Sequence, residues 1–144
     1  MPLIAALCSE TYLVALINMA QGKYKKALVK KVKKGQKGFP VATIAFYGPD
    51  NSTATKVVCG IIQHEGAEPS LMKKWFAKNE IRKSENILGQ LLAFIEENGA
   101  RSVVMADSII GCPHEEGIDY PEGESCPKCP YWKNRNRFSG EILH

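Results

Sequence analysis

Four residues in the last third of the chain, Cys112, His114, Cys126 and Cys129, have the types and spacing of a metal-binding set. One residue separates Cys112 from His114 and two separate Cys126 from Cys129, so each pair reaches one ion from a tight turn. The eleven residues between the pairs can return the chain and bring the two half-sites together. Zinc takes four sulfur or nitrogen ligands in a tetrahedron, and four protein ligands leave no open position for water. The expected site is therefore structural. Prolines at 113, 127 and 130 restrict the loop before metal arrives and lower the entropy lost on closing it. The alternative cofactor for the same ligands is an iron–sulfur cluster.

Cys126-Pro-Lys-Cys129 resembles the knuckle of zinc ribbons and rubredoxins, which carry glycine after the second cysteine where this chain has Pro130. The resemblance covers four residues and implies a metal half-site. Cys112-Pro-His114 followed by Cys126 resembles the Rieske pattern, but Cys129 stands where a second histidine belongs and the intervening loop is short. His114-Glu115-Glu116 with Cys126-x-x-Cys129 resembles the zinc deaminase motif. Residues 117–125 cannot hold that family's inserted strand, and Ser125 replaces its proline. Glu115, Glu116, Asp119, Glu122 and Glu124 read as a solvated acidic loop balanced by Lys128, Lys133, Arg135 and Arg137.

A second group lies near the N-terminus. Lys23, Lys25, Lys26, Lys30, Lys31, Lys33, Lys34 and Lys37 place eight ammonium groups in fifteen residues. Residues 1–38 carry a net +7, against −1 for 39–111 and −2 for 112–144, so the whole-chain +4 belongs to this arm. Such a face suits nucleic acid or another polyanion, with affinity that falls as salt rises. The arm contains no arginine, which argues against base reading. Arg135 and Arg137, interleaved with Tyr131, Trp132 and Phe138, extend the candidate polyanion set. The aromatic residues are equally suited to capping the metal loop.

The elements that position these groups follow from periodicity. Leu13, Leu16, Ile17, Ala20, Tyr24, Leu28 and Val32 recur at helical spacing, giving a basic amphipathic arm over 1–38 that Gly22 kinks or divides. This arm is also a candidate dimer or partner contact. Residues 39–111 read as an α/β core of two layers, with a mixed sheet of three or more strands in the order ββααβ. Strands at 39–47 and 55–63 flank Gly48-Pro49-Asp50-Asn51-Ser52, an antiparallel hairpin signal, and are apolar on both faces. Pro69 opens a short helix to Phe76, Asn79 caps a helix over 80–98 that Gly99 closes, and 102–106 returns as a parallel strand. Residues 112–144 show neither period and need the metal as organiser. The three sections form one compact domain.

Five cysteines cannot all pair, and no positively charged leader precedes the apolar stretch at 3–20, so the chain reads as cytoplasmic and reduced. Glu10 argues against a transmembrane segment there, since a carboxylate at the bilayer centre costs about 3 kcal/mol. Asp107 and Ser108 follow the last strand, where α/β sheets bind ligands, and His64 and Cys59 add acid–base and nucleophilic chemistry. Without a phosphate loop or nucleophile elbow, the case for an enzyme is weak. The expected function is a non-catalytic zinc-binding module for nucleic acid or another polyanion. The alternatives are a small metal-dependent enzyme with a cleft near Asp107–His114, and an assembly protein using its first helix.

Overall fold

A computed structural model describes residues 22–35, 37–136 and 141–142. In chain order its elements are α1 (Lys23–Lys33), β1 (Val41–Tyr47), β2 (Lys56–Ile62) and β3 (Leu71–Phe76). A 3₁₀ turn (Ile81–Lys83), α2 (Glu85–Glu97), β4 (Ser102–Ile109) and a second 3₁₀ turn (Pro130–Trp132) follow. The apolar stripe from Leu13 to Ala20, and the stretch at 3–20 considered for the membrane, lie outside the described residues. Among the described residues no helix is long and apolar enough to cross a membrane.

Among the described residues the strands form a four-stranded sheet in the order β3-β2-β1-β4. β1 and β2 pair antiparallel, Val41 opposite Ile62 and Tyr47 opposite Lys56. Their apolar character on both faces matches their central position. The turn between them is fixed by Asp50, whose carboxylate accepts from the N–H groups of Ser52 (2.8 Å) and Thr53 (3.0 Å). The Ser52 bonds hold that carboxyl below its ordinary pKa. β4 lies parallel to β1 on the other side. It runs three residues beyond the expected 102–106 and carries a register shift opposite Ile44–Phe46.

The expected order ββααβ requires one correction. The segment expected to be a helix from Pro69 to Phe76 is β3, an edge strand antiparallel to β2. Only Trp75 in it is buried, so the strand shows no clean alternation, and Met72, Trp75 and Phe76 fall at helical spacing. Six residues are too few for a stable isolated helix, whereas the sheet offers a ladder for every backbone group facing β2.

α1 and α2 pack on one face of the sheet. Leu28 and Val32 of α1 meet Leu88, Leu91, Leu92 and Ile95 of α2 over Ala42, Ile44, Phe46, Val57, Cys59 and Ile61. The N-cap of α2 is Ser84 rather than Asn79, and its hydroxyl accepts from Ile87 N–H at 3.3 Å. Gly99, at φ 64°, closes the helix as expected. α1 starts directly after Gly22, which offers no capping side chain. Glu85 supplies it instead, accepting from Tyr24 N–H at 3.2 Å. A Cβ on Gly22 would lie 1.3 Å from that carboxylate, so the contact requires glycine.

Candidate metal centre

The chain leaves β4 along the end of the hairpin. Ile110 N–H donates to Phe46 O (3.0 Å) and Gly48 N–H to Gly111 O (2.9 Å), so Cys112 enters its loop from a fixed point on the sheet. Lys56 then holds the next residue, donating from Nζ to Pro113 O at 3.1 Å. The backbone N–H of His114 turns back onto Cys112 Sγ at 3.2 Å, an N–H···S bond that stabilises a thiolate.

The acidic loop is braced largely by itself. Asp119 accepts from Glu115 N–H (2.7 Å) and Glu116 from Gly123 N–H (2.9 Å). Glu115 also pairs with Lys74 of β3. That lysine is a counter-charge from outside the tail. The Lys74 hydrogen bond is the main reason the Glu115 carboxyl lies below its ordinary pKa.

The second half-site closes over the first. Cys129 N–H donates to Cys126 O (3.4 Å), and Pro130, which has no N–H to offer a sulfur, opens the 3₁₀ turn. Trp132 fastens this turn to the hairpin, its Nε1–H donating to Gly48 O at 2.8 Å. Trp132 thus packs against the core beside the metal loop, with part of its ring in solvent.

These constraints bring Cys112, His114, Cys126 and Cys129 together, with all four ligand atoms within 4.8 Å of one another. His114 Nδ1 faces the sulfurs of Cys112 (3.2 Å), Cys126 (3.4 Å) and Cys129 (3.5 Å). A tetrahedral ion with metal–sulfur bonds of about 2.3 Å and a metal–nitrogen bond of about 2.0 Å sets that separation near ~3.5 Å. The cluster can hold a metal ion, and its spacing is consistent with zinc. Cys112 and Cys129 are buried and Cys126 is half-buried. Burial is the leading cause that raises the pKa of both buried thiols. Nearby cations are the usual means of activating such sulfurs, and a metal supplies that charge directly.

The other candidates are dispersed. Cys59 is core filler on β2, its thiol pushed up to about 12 by burial. His64 is exposed beyond the end of β2. Asp107 lies on β4 with its side chain outside the described residues, and Ser108 is half-buried beside it. A groove of about 520 Å³ does border the cluster, lined by Cys112, His114, Glu115 and Glu116 with Tyr47, Lys56, Val58, Met72 and Lys74. Sequence reasoning missed its two lysines. Lys56 carried the one available signal, a lone charge opening an apolar strand.

The lysine arm divides. Lys23, Lys26, Lys30, Lys33, Lys34 and Lys37 are exposed, while Lys31 is half-buried near Glu96 (3.8 Å). Lys25 is 1% exposed, and among the described residues its Nζ has no hydrogen-bond partner. Burial first, then Arg82, lowers its pKa from 10.5 to about 8. Arg135 sits over the Tyr131 ring at 4.3 Å, and Arg137 and Phe138 lie outside the described residues. Comparison with protein-family models, curated proteins and solved structures finds no match to this chain.

Proposed function

We propose that the chain is a non-catalytic zinc module that binds nucleic acid or another polyanion through α1. The observation that carries the metal half of this reading is the convergence of four ligand atoms within 4.8 Å. Three thiolates and one imidazole saturate a tetrahedral ion, which favours a structural role over catalysis. So compact a set favours a single ion over an iron–sulfur cluster, whose irons spread their ligands further apart. Thiols kept for metal fit a reducing compartment such as the cytoplasm.

The polyanion half rests on the exposed lysines. Lys23, Lys26, Lys30 and Lys33 recur every three or four residues, on a different side of α1 from buried Lys25, Leu28, Val29 and Val32. Lys34 and Lys37 extend the set beyond the helix. The test is binding of random-sequence duplex DNA and RNA across a salt series. Lys26→Gln, Lys30→Gln and Lys33→Gln together should weaken binding and reduce the slope of log K against log salt by roughly one unit per lysine. Unchanged affinity and slope would refute the α1 interface.

A further inference from the structure

Among the described residues β3 is an edge strand, paired with β2 on one side only. Leu71, Met72 and Phe76 are 49%, 58% and 62% exposed, so half of this six-residue strand consists of large apolar side chains in solvent. An edge of this kind is a template for another strand. Ala77 N–H donates to Thr55 O, and the register continues with Trp75 opposite Val57 and Lys73 opposite Cys59. In an antiparallel ladder alternate residues bond across the pair. Trp75 and Lys73 therefore turn their backbone groups toward β2, while Met72, Lys74 and Phe76 turn theirs outward.

Lysines on an edge commonly guard it by standing in the path of an incoming strand. Here they are folded back. Lys73 Nζ lies over the rings of Trp75 (5.4 Å) and Phe94 (5.9 Å), and Lys74 is bound to Glu115. The edge itself is left open. Lys73, Lys74 and Lys78 stand within eight residues, 71–78, that contain no acid.

We infer that the free edge of β3 docks an extended acidic segment of a partner polypeptide, which adds to the sheet as a further strand. Lys74 is held by Glu115, so the acidic preference rests on Lys73 and Lys78. The complementary strand sets apolar side chains toward Met72 and Phe76 on the groove side and carboxylates toward Lys73 on the other face. A second copy of β3 is a poor occupant, because it would bring its own Lys73 and Lys78 to the same edge and offer them no carboxylate. Met72 and Lys74 also line the groove whose other wall is the metal loop, so an apolar side chain of the added strand can lean into it.

The test uses the full metal-loaded chain and the labelled peptide Glu-Ile-Glu-Glu-Glu-Ile-Glu. Binding followed by fluorescence anisotropy should be accompanied by at least tenfold slower amide exchange at Met72, Lys74 and Phe76. Replacing the central glutamate of the peptide by proline should weaken binding at least tenfold. Met72→Pro, which removes an outward N–H and leaves the β2 ladder intact, should do the same. Unchanged exchange of the β1 and β2 amides confirms that this variant is folded. Absence of binding, or equal binding of the proline peptide, would overturn the inference, as would protection of the same amides by oligo(dT). A concentration-dependent dimer that protects these amides without peptide would also overturn it.

Discussion

The helix–sheet core and the tail that follows β4 solve the same problem by different means. In the core, Phe46, Ile61, Leu88, Leu91 and Met105 are at most 1% exposed, and backbone groups are satisfied by ladders and helices. In the tail from Cys112 to Trp132 few apolar groups are buried beyond Tyr120 and the cysteines. Short turns, a braced acidic loop and four convergent ligands take the place of a core. On this account the core should survive loss of metal, and the tail should not.

The largest expected effect follows directly. Chelation, or Cys129→Ser, should abolish amide protection across 112–132 while β1 and β2 retain theirs, since a structural zinc site contributes roughly 10 kcal/mol or more to local folding. Global unfolding on chelation would break the distinction between the two regions. A smaller effect is expected at the join. Trp132→Ala removes the bond to Gly48 O and an apolar contact with the core, and should cost about 2 kcal/mol in denaturant unfolding. Metal stoichiometry should not change. Loss of metal in this variant would show that the hairpin shapes the site rather than only carrying it.

Lys25 separates the core from its charged surface. Its folded pKa of about 8 lies below the 10.5 of an exposed lysine, so between these values the unfolded chain holds more protons. Stability then rises with pH across that window, and the penalty is fully present below about pH 8. Lys25→Met should raise stability near pH 7 by about 1–2 kcal/mol, after discounting for screening by nearby solvent, and should lose the rise between pH 8 and 10. A wild-type and variant difference that is flat with pH would show the ammonium to be solvated. Smallest is the helix cap. Ser84→Ala should cost about 1 kcal/mol and lower the melting temperature by a few degrees, without altering the tail.

The sequence made the metal ligands legible because few residue types bind metal and their spacing is a covalent constraint. The hairpin and α2 were legible for a similar reason, since Gly48–Ser52 and Gly99 mark turns locally. β3 was not, because an edge strand buried at one position leaves no period to read. Lys25 was hidden in a run of lysines, where only tertiary packing, here beside the charged segment 80–85, distinguishes a buried ammonium from exposed ones. The roles of Lys56 and Lys74 depend on contacts reaching 57 and 41 residues along the chain, which no local pattern encodes.

The most direct test of the account is elemental analysis of the purified chain together with its absorption spectrum. One zinc per chain and no visible bands, with the zinc lost in Cys112→Ser or Cys129→Ser, is the predicted result. Charge-transfer bands would instead identify an iron–sulfur cluster. Absence of any metal, with stability unchanged by chelator, would contradict the centre itself.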